Sequence, residues 1–327
     1  MSELEFLRET TPAPAPASPP ARARARAALS VRIDASEHRR RRVWLFSASG
    51  AVATLAVAVA VFFALGAGGE QSDASAANLL HKAAKAALAQ PGFDALGPNQ
   101  YIYTKSVDAY MDTSVYENNR PYSVMVPHTR EIWLNADGTG WLHETSGKPT
   151  FLSDRDRQLW IEAGRPDLAS QGMDTVLRNE DGPTPPMKSL SLPSDPDTLY
   201  AQLEKQARGF GRRTYAEMFV EVGDSLRESY TTPAQRSALF EVAARIPGVA
   251  LVGDVTDAVG RTGTGVAMDD EVNHTRQTLI FDPTNYGLMG EEESTLSGNE
   301  AGYPVGTVTG HGAYLEQAVV DALKKRP

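Results

Sequence analysis

Cysteine is absent from the 327 residues. The chain therefore has neither disulfides nor thiolate metal sites, and must hold together by packing alone. The same absence removes lipid attachment through a cysteine. Catalytic signatures readable from spacing are also missing: there is no H-E-x-x-H, no G-x-S-x-G and no phosphate-binding loop. The six histidines are scattered without metal-ligand spacing. Base is in short supply too. The net charge of −9 argues against nucleic acid as a partner, because that binding rests on neutralising phosphates.

Isolated polar clusters do not fill the gap. His143-Glu144 and Asp154-Arg155-Asp156 read as solvated faces, since neighbours along a strand point to opposite sides and cannot converge on one proton. His311 in Gly310-His311-Gly312 marks a bulge or a close backbone approach. Gly263-Thr264-Gly265 reads as a turn, because no helix follows that could turn it into a phosphate cradle. The expectation is a protein that is not an enzyme and uses no cofactor or metal.

What is present is a long uncharged run. Val43 to Gly69 is rich in Ala, Val, Leu and Phe, and a bilayer core needs about 20 such residues in a helix. A secretory signal has an apolar core of only about 7–15 residues, so the run reads as a retained single-pass anchor. Ala74-Ser75-Ala76 could mimic a cleavage site, which leaves cleavage open. Arg39, Arg40, Arg41 and Arg42 stand against its N-terminal end, and no base flanks the other. The positive-inside rule places residues 1–42 in the cytosol and 70–327 outside; the arginines also suit anionic membrane lipid. Charge divides accordingly. Residues 1–42 hold nine Arg against five Asp and Glu, or +4, which leaves −13 for residues 70–327.

Residues 1–42 read as a disordered basic tail around the proline-rich Thr11–Pro20, with Leu4, Phe6 and Leu7 able to fold onto a partner. Beyond the span, Asp73–Gln90 predicts a helix, Gln100–Met111 a strand, and Arg130–Glu144 a hairpin in which Trp133 and Trp141 are cross-strand neighbours. Residues 146–193 show no periodicity and read as a long loop. Asp195-Pro196 opens a helix. Tyr215, Met218, Phe219, Val222 and Leu226 mark the face of another, and Thr232 with Gln235 forms a capping box ahead of Leu239, Ala243 and Ile246. Two hairpins, at 249–268 and 276–295, and a last strand follow. Strands, helices and strands again indicate an α+β domain with a mostly antiparallel sheet.

Several stretches together resemble the CU044_5270 family of actinobacterial single-pass membrane proteins: "ELEFLRE", "ARARARAAL", "REIWLNADGTGWL", "LPSDPDTLYAQL", "IPGVALVGDVTDAVGR" and "LIFDPTNYGLMGEE". The resemblance implies a setting beside extracytoplasmic-function sigma factors. It also implies an outer domain similar to half-barrel envelope proteins that carry or sense lipids, in which a curved antiparallel sheet wraps helices. Two readings stand. In one, the outer domain senses an envelope ligand and the tail engages a cytosolic sigma factor. In the other, the protein is an anchored module for envelope lipid or lipoprotein. Tyr101, Tyr103, Trp133 and Trp141 are the candidate wall residues of a ligand cavity, with core packing as their alternative role.

Overall fold

Carboxylate and hydroxyl caps set where most of the helices begin. The structure, a computed structural model, describes residues 73–327 except 91–95, 98, 117–119, 169–171, 179–191, 228–230 and 300–301. Helix α1 (Ala74–Ala89) starts where the Asp73 carboxylate accepts from the Ser75 amide at 2.9 Å. Its inward stripe is Ala76, Leu80, Ala83, Ala84 and Ala87, mostly small residues that let a neighbouring helix approach. The predicted membrane span at 43–69 lies outside the described residues, as do Leu4, Phe6, Leu7 and Arg39–Arg42. Among the described residues no helix is long and apolar enough to cross a membrane.

The strands form one open antiparallel sheet. They are β1 (Tyr101–Tyr116), β2 (Arg120–Met125), β3 (His128–Leu134), β4 (Gly140–Ser146), β5 (Thr150–Phe151), β6 (Asp174–Leu177), β7 (Ala250–Thr256), β8 (Thr262–Asp270), β9 (Thr275–Phe281), β10 (Leu288–Thr295) and β11 (Val308–Val320). The order is β6-β4-β3-β1-β11-β10-β9-β8-β7, with β2 and β5 branching from the far end of β1. Each of these pairings is antiparallel. The expected α+β class with helices packed on an antiparallel sheet is therefore what the chain adopts.

Helices cover the C-terminal half of this sheet. Helix α3 (Pro196–Ala207) is capped by Asp195, α4 (Thr214–Leu226) follows a short 3₁₀ turn, and α5 (Pro233–Ala243) carries the complete Thr232–Gln235 capping box. Leu80, Leu203, Met218, Phe219, Val222, Leu239 and Ile246 meet Val266, Leu279 and Phe281 in one apolar core. Phe240 and Phe281 touch edge-on at 5.5 Å between ring centroids. Tyr215, expected on the buried stripe of α4, is 40% exposed, and Ala216 and Glu217 take the inward positions of the first turn instead.

Three sequence readings need correction. The long loop expected at 146–193 contains β5, β6 and a helix, α2 (Asp154–Glu162), capped by Ser153. Asp156 does not lie on a solvated face. It is buried, and its carboxylate accepts from the Ser123 amide at 2.9 Å and from the Tyr303 hydroxyl at 3.0 Å. Gly263-Thr264-Gly265 is not a turn but the start of β8. A Cβ on Gly263 would lie 2.6 Å from the Phe281 carbonyl oxygen, so glycine there serves close packing of strands rather than a bend.

Candidate functional site

Strand alternation sends successive residues of β3 to opposite faces. On the face away from the helices, one cross-strand row runs Tyr103, Trp133, Trp141 and Val176 across β1, β3, β4 and β6. Tyr103 and Trp133 are buried, with ring centroids 5.2 Å apart and planes tilted by 47°. Tyr101 and Trp141 are half-buried and pack against them together with Val320. All four aromatics singled out in the sequence thus come together in one cluster, with Trp133 and Trp141 paired as cross-strand neighbours.

Glu131, one step along the same face of β3, gives the cluster a charge. The Tyr103 hydroxyl donates to Glu131 Oε1 at 2.6 Å, and the Arg326 guanidinium forks onto both its oxygens at 2.6 and 2.7 Å. Arg326, with help from Tyr103, holds this carboxyl down at about 2 against the opposing pull of burial. Burial and the adjacent Glu131 push the Tyr103 phenol up. Asp174 stands at the outer edge, where it accepts from the Trp141 indole N–H and lies 3.5 Å from His143 Nδ1.

What lies over the aromatics is the chain itself. After β11, residues 321–327 run across the cluster on the surface. Lys324 sits with its ammonium 3.3 Å from the centre of the Trp141 ring. The Trp133 indole N–H donates to the Lys325 carbonyl, and Arg326 reaches Glu131.

A scan against protein-family models finds no match, and a search of curated proteins finds none either. Among solved structures, a chain in "The complex structure of Pseudomonas aeruginosa MucA/MucB" is 12% identical, with 76% of this chain and 58% of that one covered and a TM-score of 0.26. A chain in "Crystal structure of MucB in complex with MucA(peri)" is 13% identical, with 76% and 57% covered and a TM-score of 0.24. This chain spans less than two thirds of either. Both are distant likenesses.

The helix-side face holds a second feature, a buried charged belt running from β10 to β4. Glu291 is 1% exposed; it takes Arg227 Nε at 2.6 Å and Nη2 at 2.8 Å, and the Tyr110 hydroxyl donates to it. Burial opposes the charge on Arg227, but Glu291, Tyr110 and Asp224 outweigh it and push its pKa well up. Farther along lie Asp108, His128, Arg130 and Glu144, all buried, with Glu144 3.6 Å from Arg130 and 3.7 Å from His128. Glu144 therefore does not lie on a solvated face, although it does point away from His143 as alternation requires. Glycines make room: a Cβ on Gly310 would strike the Tyr110 ring at 2.4 Å, and one on Gly312 would meet Glu291 at 3.3 Å. The close approach expected around His311 is present on both sides of it.

Sequence reasoning missed the belt and the overlying segment. Tyr110 and Glu291 are far apart in the chain, and no local pattern links them. One usable signal was the neighbouring Arg130 and Glu144, which fall opposite each other once the hairpin register is drawn.

Proposed function

We propose that the chain is a single-pass protein of the cell membrane whose acidic α+β domain lies in the envelope and binds a partner or ligand without catalysis. Its basic tail in the cytosol is available to a sigma factor. The open sheet is read as the half-barrel that the sequence resemblance implies. Topology rests on the apolar run at 43–69, the four arginines before it, and the division of charge between +4 and −13. The sigma-factor link rests on the resemblance to the CU044_5270 family.

The observation that carries the binding reading is the aromatic row with Glu131 beside it, mounted on a hydrogen-bonded sheet rather than a loop. Aromatic rings supply contact area at little entropic cost, and a fixed carboxylate supplies direction. The titratable groups there suit recognition. Glu131 stays ionised and Tyr103 stays protonated across the physiological range, so neither is poised to exchange a proton.

A photo-crosslinker at Leu7 of the full-length protein in cells tests the coupling. Capture of a sigma factor, lost on Leu4→Asp with Leu7→Asp, is the expected result. Capture of lipid and bulk membrane proteins alone would overturn the coupling and leave an anchored module for envelope lipid or lipoprotein.

A further inference from the structure

The segment lying over the aromatic row is held in an unusual way. Residues 321–327 are all exposed, and Leu323 remains 40% exposed, so no apolar side chain anchors them. Strand pairing ends at Val320, opposite Tyr101. Lys324 adopts a φ of 64°, a left-handed conformation uncommon for a residue with a side chain. The contacts are recognition contacts instead: an ammonium over an indole ring, an indole N–H to a main-chain carbonyl, and a guanidinium fork on a carboxylate. Arg326 itself is 59% exposed in its side chain, so water screens its pairing. A tightly built surface is thus covered by a weakly held strap.

Beneath the strap the receiving groups are firmly set. Tyr103 fixes one oxygen of Glu131, Trp133 is 2% exposed with its N–H aimed outward at the strap, and Asp174 holds the Trp141 indole. These elements read a peptide in order: a base over Trp141, any residue whose carbonyl meets Trp133, then Arg on Glu131. We infer that this face is a receptor for a basic peptide of another envelope protein, with the pattern base–x–Arg and turned at its first base as the strap is, and that Lys324-Lys325-Arg326 occupies it in cis. The inference rests on reading this face as the binding face. Charge selects the occupant, because residues 70–327 carry −13 and the side-chain acceptors, buried Glu131 and exposed Asp174 at the edge, are both acidic. A partner outcompetes the strap by reaching farther, onto half-buried Tyr101 and onto Asp174, which Lys324 approaches only to 4.0 Å.

The test uses the full-length protein in detergent micelles, intact and with residues 321–327 deleted. The probe is a fluorescent peptide of sequence DALKKRP, followed by anisotropy. The deleted protein should bind it saturably, and the intact protein at least about tenfold more weakly, because the strap competes at a high local concentration. Glu131→Gln in the deleted protein should weaken binding by about tenfold, the loss of one charge-assisted pair.

A deleted protein with unchanged circular dichroism and no saturable binding would overturn the inference. So would equal binding of a scrambled peptide. If the deletion does not fold, Lys324→Ala with Arg326→Ala in the intact chain replaces it. Peptide binding must then rise above that of the unmodified protein, and no rise refutes the cis occupancy. Sedimentation of the intact protein as a dimer that disappears on deletion would make a second copy's strap the occupant, and would equally overturn it. The Leu7 crosslink reports on the cytosolic tail, so failure of the peptide test leaves that result standing.

Discussion

Replacing Glu131 by Gln keeps the shape of the side chain and removes its charge, which makes it a sharp probe of the strap. The carboxyl is lowered from an ordinary 4.5 to about 2, first by Arg326, with burial opposing and Tyr103 assisting. A displacement of that size corresponds to at most about 3 kcal/mol of folding stability. Arg326 is mostly in water, so screening reduces the figure to about 1–2 kcal/mol. The sign follows from linkage. A carboxyl lowered in the folded state binds fewer protons there than in the unfolded chain, so its contribution is full above about pH 4.5 and is lost as pH falls toward 2. Urea unfolding of the full-length protein in detergent, followed by tryptophan fluorescence from pH 7 down to pH 2, reads this directly. The unmodified protein should exceed Glu131→Gln by about 1–2 kcal/mol at pH 7, and the two curves should converge near pH 2. An equal gap at both ends would refute the ionic account, because a difference independent of protonation is one of packing.

Other expectations can be checked on the same protein. Glu292 in β10 is raised to about 7 by burial, with Arg276 opposing and His311 its cross-strand partner. A raised carboxyl makes the fold less stable as pH rises from about 4.5 to 7, so Glu292→Gln should stabilise by up to about 3 kcal/mol above pH 7 and by nothing below 4.5; equal effects at pH 4 and 8 in urea titrations would exclude this. Burial lowers His311, which acts in the opposite direction, so the double variant with His311→Gln should show the flattest pH profile. Gly140→Ala places a Cβ 1.8 Å from the Trp133 carbonyl oxygen and should cost about 3 kcal/mol through loss of the β3–β4 register, seen as a changed near-ultraviolet tryptophan signal. Thr232→Ala removes one arm of the α5 capping box and should lower stability by about 1 kcal/mol without altering the peptide binding of the strap-deleted protein.

Much of the architecture was legible because local chemistry and final structure agree. Asp73, Asp195 and Thr232 are short polar residues that can reach an orphan amide, and each does so at a helix start. The 128–146 hairpin was legible because Asn135–Gly138 supplies the turn and the aromatics alternate. Helix α2 was hidden for a physical reason: its buried side is small, carried by Leu159 and by Ala163 just past its end, and its first turn is charged. The four aromatics were found from residue type alone, and their common row depends only on period two. Glu131 drew no notice because its oxygens are satisfied by Tyr103 and by Arg326 at the far end of the chain. Charged residues at 128, 130 and 144 likewise look solvent-facing until the strands pair them and the fold closes over them. Contacts between distant segments leave no periodic trace.

The sheet order has a consequence for how such a chain is made. Strand β1 pairs with β11, Tyr101 opposite Val320 and Tyr110 opposite Gly310, so partners roughly 200 residues apart form the central seam. During synthesis β1 can pair early with β3 and β2, yet its other edge stays open until β11 arrives. The same wait applies to β10, which has β9 on one side and nothing on the other. For that interval the two halves are separate pieces with unpaired edges, the condition in which strands join the wrong neighbour or are cut by proteases. A chain stopped short of Val308 would display both edges permanently, so β11 is the strand on which protection of the whole sheet depends.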